Sequence, residues 1–135
     1  MRTSTKTAAA RDAMARGAQA AAALSPPPAL VIADTAAADP RSAPGAAPFT
    51  ASASFRGAVG DTAGALQRLH NAWTAAGLRS TLRPGRTGEA EAGDADGFTY
   101  TATVTADEAG IALWVESPVF LDPEPDSAFL PIRPS

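Results

Sequence analysis

The chain contains no cysteine and a single histidine, His70. The first absence removes disulfides, thiolate metal sites and cysteine nucleophiles together. The second excludes a multi-histidine metal centre. Phe, Trp and Tyr make up only 6% of the 135 residues, and much of the 45% apolar content is alanine, which buries little area. A core must therefore be built from a small set of larger side chains, chiefly Phe49, Phe55, Leu66, Leu69, Trp73, Phe98, Tyr100, Ile111, Leu113 and Val115. Each contributes about 1.5–3 kcal/mol when fully buried, against a conformational entropy cost of similar total size. No apolar run approaches the roughly 20 residues that span a bilayer. The net charge of −3 lacks the basic excess of a general nucleic-acid binder, so that partner is not expected.

The charge is unevenly distributed. Residues 1–88 hold ten of the eleven basic residues and only Asp12, Asp34, Asp39 and Asp61, while residues 89–135 hold Arg133 and the ten remaining acids. Such halves are expected to attract each other within the fold. At the N-terminus, Arg11, Asp12 and Arg16 interrupt the alanines where a secretory signal would place its continuous apolar region. The expected location is cytoplasmic for the chain as written, and envelope or secreted if a leader has been removed.

Residues 1–24 have the composition of an alanine-rich helix of weak amphipathicity, with Gly17 costing about 1 kcal/mol relative to alanine in its middle. Pro26, Pro27 and Pro28 end it. Residues 25–48, rich in Pro and Ala, read as a linker with at most one short strand near Leu30 to Ala33. From Phe49 the pattern sharpens: Phe49, Ala51, Ala53 and Phe55 alternate with Thr50, Ser52, Ser54 and Arg56, as in a half-buried strand. Asp61 or Thr62 then caps a helix whose stripe is Leu66, Leu69, Trp73 and Ala76, and Gly77 is placed to stop it in the left-handed conformation.

Further alternation predicts strands at Leu78–Arg83, Phe98–Thr105 and Ile111–Glu116, the last two joined by a hairpin loop over residues 106–110. The stretch 84–97, with Glu89, Glu91, Asp94 and Asp96, reads as a mobile acidic loop. The tail, residues 122–135, is extended or disordered unless Phe129, Leu130 and Ile132 find a groove. The expected fold is a two-layer α+β domain over residues 49–121. Its small antiparallel or mixed sheet has the order β-α-β-β-β with one helix packed on one face, preceded by the N-terminal helix. The crossover through the helix makes its two flanking strands parallel if they share a sheet.

Few constellations carry chemistry. A small enzyme with His70 as general base and a loop carboxylate as its partner is one reading, but no G-x-S-x-G motif accompanies the histidine. The loop acids lack the D-x-D-x-D-G series of a calcium loop. Gly57, Gly60 and Gly64 precede a helix without the lysine and hydroxyl of a phosphate-binding loop. No cofactor is implied. The most informative surface is the sheet face away from the helix, where the period of two places Arg56, Arg79, Arg83, the threonines at 99, 101 and 103, Trp114 and Glu116. A tryptophan among polar residues is a candidate anchor for a protein partner or a second copy, unless the N-terminal helix or the C-terminal tail covers it. The three arginines alternatively suit an acidic polymer.

The segment carrying Leu66, Leu69, Trp73, Gly77 and Leu78, followed by an alternating strand and then by Ile111 to Pro118, resembles small uncharacterised envelope lipoproteins of actinobacterial type. Those relatives generally carry a lipid-accepting cysteine near the N-terminus and often another just after Ser-Pro, where this chain has Val119. The resemblance implies an α+β fold built on a tryptophan-centred helix and no particular chemistry.

Overall fold

Strands form where apolar and polar residues alternate, and helices form where small or apolar residues recur every three to four positions. A computed structural model describes residues 2–39, 41, 46–85 and 87–134. In chain order the elements are α1 (Lys6–Ala21), β1 (Ala29–Ala37), β2 (Pro48–Ala58), α2 (Thr62–Ala75), β3 (Arg79–Arg83), β4 (Glu89–Gly93), β5 (Thr99–Val104), β6 (Gly110–Glu116) and β7 (Phe120–Leu121). The strands make one antiparallel sheet in the order β1-β2-β6-β5-β4-β3, with β7 beside the start of β2. Both helices lie on one face, α1 over β1, β2 and β6, and α2 over β3 and β4. The class is thus the expected two-layer α+β. β2 and β3, which flank α2, run in the same direction with β6, β5 and β4 between them.

Two segments differ from expectation. The stretch read as a linker contains β1, nine residues long and paired with β2 along its length, although Pro40 and residues 42–45 lie outside the described residues. The stretch read as a mobile acidic loop contains β4, which joins β3 to β5; Arg86 within it lies outside the described residues. In β4 the inward residues are Ala90 and Ala92.

The core is read directly from the register. One inward row runs Leu30, Phe55, Leu113, Ala102, Ala90, Leu82, and the next runs Ala33, Ala53, Val115, Tyr100, Ala92, Ser80. Leu66, Leu69 and Trp73 of α2 close over these rows, each 2% exposed or less. Its ends follow the predicted chemistry. Asp61 accepts a hydrogen bond from the Gly64 amide at 2.9 Å. Gly77 adopts φ +88°, and the Leu78 amide reaches back to Trp73 O at 3.0 Å, a glycine-terminated C-cap.

α1 docks through size rather than hydropathy. Its buried residues are Ala9, Ala10, Ala13, Gly17, Ala20 and Ala21, a stripe that lets the helix backbone approach the sheet. Gly17 is where that approach is tightest: the space a Cβ would need is occupied by the Phe55 ring. Its absence of side chain is therefore a packing requirement, not a flaw in the helix. At the far end of α1, Trp73 Nε1 donates to Ala20 O at 3.1 Å, joining the two helices.

The termini are pinned to the sheet. Thr3 bridges Leu121, and Lys6 Nζ lies 3.3 Å from the buried Asp122 carboxylate while donating to Pro125 O and Ser127 O. In the tail, Phe129 and Ile132 pack against the core, and Ile132 exchanges two 2.8 Å hydrogen bonds with Ala33 on the open edge of β1. The tail thus finds the groove that an ordered reading required, with Leu130 left 83% exposed.

Candidate functional site on the outer face of the sheet

With both helices on one face, no described helix covers the other face of the sheet, and the register arranges it in three rows. The first runs Ala29, Arg56, Ala112, Thr103, Glu89, Arg83. The second runs Ile32, Ser54, Trp114, Thr101, Glu91, Thr81, and the third Asp34, Ser52, Glu116, Thr99, Gly93, Arg79. Trp114 sits in the central row on β6, flanked by Ser54 and Thr101, and is 45% exposed. Neither the N-terminal helix nor the C-terminal tail covers it: α1 lies on the opposite face, and the tail meets the β1 edge at the Ala33–Ile132 bridge. A β-bulge between Leu30 and Ile32 turns Val31 to this side, 46% exposed. Val31, Ser54, Arg56, Thr101, Thr103 and Trp114 line a shallow depression of about 470 Å³.

The structure places Arg56, Arg79, Arg83, Trp114 and Glu116 on this one face, but it does not gather the arginines. Arg83 is paired with Glu89 at 2.9 Å, Arg79 stands on the edge strand β3, and Arg56 is three strands from β4. Three arginines on the face meet four carboxylates, Asp34, Glu89, Glu91 and Glu116. Asp34, Glu89 and Glu91 were not legible as face residues, because their strands carry weak or interrupted alternation.

His70 is elsewhere. It lies on α2, half-buried, with its Nδ1 2.7 Å from Ser80 Oγ on β3. The partner is a serine hydroxyl rather than the loop carboxylate expected of a base pair. Among the described residues no group of three acidic or histidine side chains is placed to hold a metal ion. Gly64 belongs to the first turn of α2 and Gly57 to β2.

A second polar cluster went unrecognised in the sequence. Asp94, read as a solvated loop charge, has a side chain only 12% exposed. Its Oδ1 accepts from the Asp96 and Phe98 amides, and its Oδ2 accepts from the Tyr100 hydroxyl at 2.7 Å and Arg16 Nη1 at 2.8 Å. Arg16 also pairs with Asp12 and Asp96, and its guanidinium lies 4.1 Å from the centre of the Phe98 ring. Burial opposes ionisation of Asp94, but the Tyr100 and Phe98 hydrogen bonds and the charge of Arg16 outweigh it and hold the carboxyl below its ordinary range. Burial, reinforced by the bond to Asp94, raises Tyr100. The guanidinium is raised as well, its burial outweighed by hydrogen bonds to Asp96 and Asp12. The cluster borders a cleft of about 500 Å³ between the helices, also lined by Ala20, Trp73 and Leu78. Its charges are satisfied within the chain, so it serves to tie α1 to the turn after β4.

Four of the five ion pairs among the described residues join the basic first 88 residues to the acidic remainder. No described helix is long and apolar enough to cross a membrane. Comparison with known proteins finds no matching family model, no matching curated protein and no matching solved structure.

Proposed function

We propose that this chain is a non-enzymatic binding or accessory domain that holds a protein partner, or a copy of itself, on the outer sheet face around Trp114. The observation that carries the reading is a tryptophan 45% exposed at the centre of a helix-free sheet face, beside the equally exposed Val31. Leaving large apolar side chains in water forgoes burial free energy that the core would otherwise gain, and large aromatics are enriched at binding hot spots. Short hydroxyl side chains around it, Ser54, Thr101 and Thr103, leave the ring accessible and add hydrogen-bonding capacity.

The two other readings have less support. For an enzyme with His70 as base, the histidine lacks an orienting carboxylate and faces Ser80 on the opposite side of the sheet from Trp114; a His70→Gln variant with unchanged phenotype removes that reading. For an acidic polymer, Arg56, Arg79 and Arg83 are separated and interleaved with acids, so repulsion offsets attraction.

The test is Trp114→Ala. The reading expects weakened association, measured by native mass spectrometry of the protein from its own cells, with an unchanged circular dichroism spectrum and a stability shift within about 0.5 kcal/mol. Unfolding of the variant, or association unaffected by it, contradicts the reading.

A further inference from the structure

We infer that the cleft between the two helices is a second binding site, for a small organic cation: an amine or ammonium group carried on a compact aromatic body. The cleft lies on the helix side of the sheet, so it is independent of the Trp114 face and adds a ligand to what the chain holds there. It follows from how the helices are laid. α1 packs over β1, β2 and β6 and α2 over β3 and β4, so β5 runs beneath the line where they meet. Packed helices close such a gap by interdigitating side chains. Here α1 offers Ala15 and Ala20, and α2 offers Ala72 and Ala76, all too short to reach across. The bond from Trp73 Nε1 to Ala20 O holds the helices together beside the opening. The space of about 500 Å³ falls within the roughly 300–1,000 Å³ of small-molecule sites, which favour gaps between helices.

The walls set the shape of the ligand. Trp73 and Tyr100, with ring centres 6.0 Å apart, form an aromatic floor next to Leu78, and the alanines make flat sides. Asp12, Ala15, Arg16 and Gln19 follow one another at i, i+3, i+4 and i+7, so one face of α1 puts its polar groups along a single wall. Gln19 stands about 10 Å along the helix from Asp12.

Electrostatics sets the sign of the ligand's charge. Arg16 gives Nε to Asp12, Nη1 to Asp94 and Nη2 to Asp96, which takes up the donors that an anion would need. It is the one basic residue lining the cleft among the described residues, while Asp12 and Asp94 both line it. Asp94 stays ionised near neutrality because its carboxyl is held below the ordinary range. The ion pairs that fasten α1 thus leave acceptors rather than donors facing the cleft. Asp12 is the open one: its Oδ1 accepts from Arg16, no hydrogen bond from a described residue reaches its Oδ2, and its side chain is 46% exposed. The ammonium group is placed at Asp12, with its aromatic body over Trp73 and Leu78.

NMR titration of the isotope-labelled full chain with phenethylammonium, phenethyl alcohol and hydrocinnamate tests this. The chain has two tryptophans, and their indole N–H signals report separately on the cleft, through Trp73, and on the outer face, through Trp114. The cation should shift Trp73 saturably, in the millimolar range suited to so small a probe, and leave Trp114 in place. The uncharged alcohol should bind at least about fivefold more weakly, and the carboxylate not at all. Asp12→Asn should bring the cation down to the affinity of the alcohol, with Arg16 still held by Asp94 and Asp96. Ala15→Leu, which fills the cleft from an exposed helix position, should abolish both. Binding of the carboxylate as tight as that of the cation overturns the sign of the ligand. A Trp73 shift indifferent to both variants overturns its placement, and the absence of a saturable Trp73 shift with any of the three probes overturns the site.

Discussion

Arg16 in α1 and Asp94 just after β4 lie 2.8 Å apart, and this pair fastens the N-terminal helix to the far half of the sheet across 78 residues of sequence. Because Asp94 is held below its ordinary carboxyl range, the sign of its pH dependence follows. Its contribution is present above the unfolded carboxylate value and is lost as pH falls through the lower folded value. Asp94→Asn should therefore destabilise the protein near neutrality, and the difference from wild type should shrink at acid pH, as read from urea midpoints. Asp94→Ala, which also leaves the Phe98 amide, the Tyr100 hydroxyl and Arg16 Nη1 without this acceptor while Arg16 keeps Asp12 and Asp96, should cost about 3 kcal/mol. A difference between wild type and Asp94→Asn that is independent of pH contradicts the account.

Tyr100 is the only tyrosine of the chain, so the phenolate absorbance reports it alone. With its folded value raised by burial and the bond to Asp94, its stabilising contribution is present below the unfolded value of about 10 and is lost as pH rises through the folded one. The absorbance change should appear well above the ordinary tyrosine range, or together with alkaline unfolding. Reversible titration of the folded protein near the ordinary value would show that the hydroxyl is not held as described.

Gly17→Ala separates propensity from packing. Helix propensity alone predicts a gain of about 1 kcal/mol. The Phe55 ring, 4% exposed and occupying the site of the new Cβ, predicts a loss of about 1–3 kcal/mol through displacement of core or helix. Chemical denaturation decides between the two, and a raised midpoint would mean that α1 does not dock as closely as described.

The tail protects the sheet edge. Ala33 on β1 presents its amide and carbonyl outward to Ile132, while Asp34 Oδ1 accepts from the next outward amide, that of Thr35. Truncation after Asp126 should expose Ala33, lower stability by about 1–2 kcal/mol and promote edge-to-edge association visible by light scattering. Unchanged stability and solution behaviour would show that the Ile132 pairing contributes nothing.

The legible parts of the sequence were those whose buried side chains are large. β2, β5, β6 and α2 announce themselves through Phe, Leu, Val and Trp at regular spacing, and Asp61 and Gly77 mark the ends of α2. β4 was hidden because Glu-Ala-Glu-Ala-Gly alternates only between acid and alanine. β1 was hidden because the bulge at Val31 breaks the period of two. The docking of α1 went unread since alanine and glycine generate little contrast in hydropathy, although their spacing at 9, 10, 13, 17, 20 and 21 was present. The placement of Arg56, Trp114 and Glu116 on a shared face followed from alternation alone. The role of Asp94 depends on contacts that no local pattern encodes.

The central claim is that the face around Trp114 holds a protein. The most direct measurement places a photo-crosslinking residue at Thr103, beside Trp114 in the depression, and separately at Gln67, exposed on α2, in the chain expressed in its own cells. The account predicts protein adducts, with a second copy or another chain, from position 103 that disappear when Trp114 is also replaced by alanine, and none from position 67. Adducts in equal yield from both positions, or none from position 103, would contradict it.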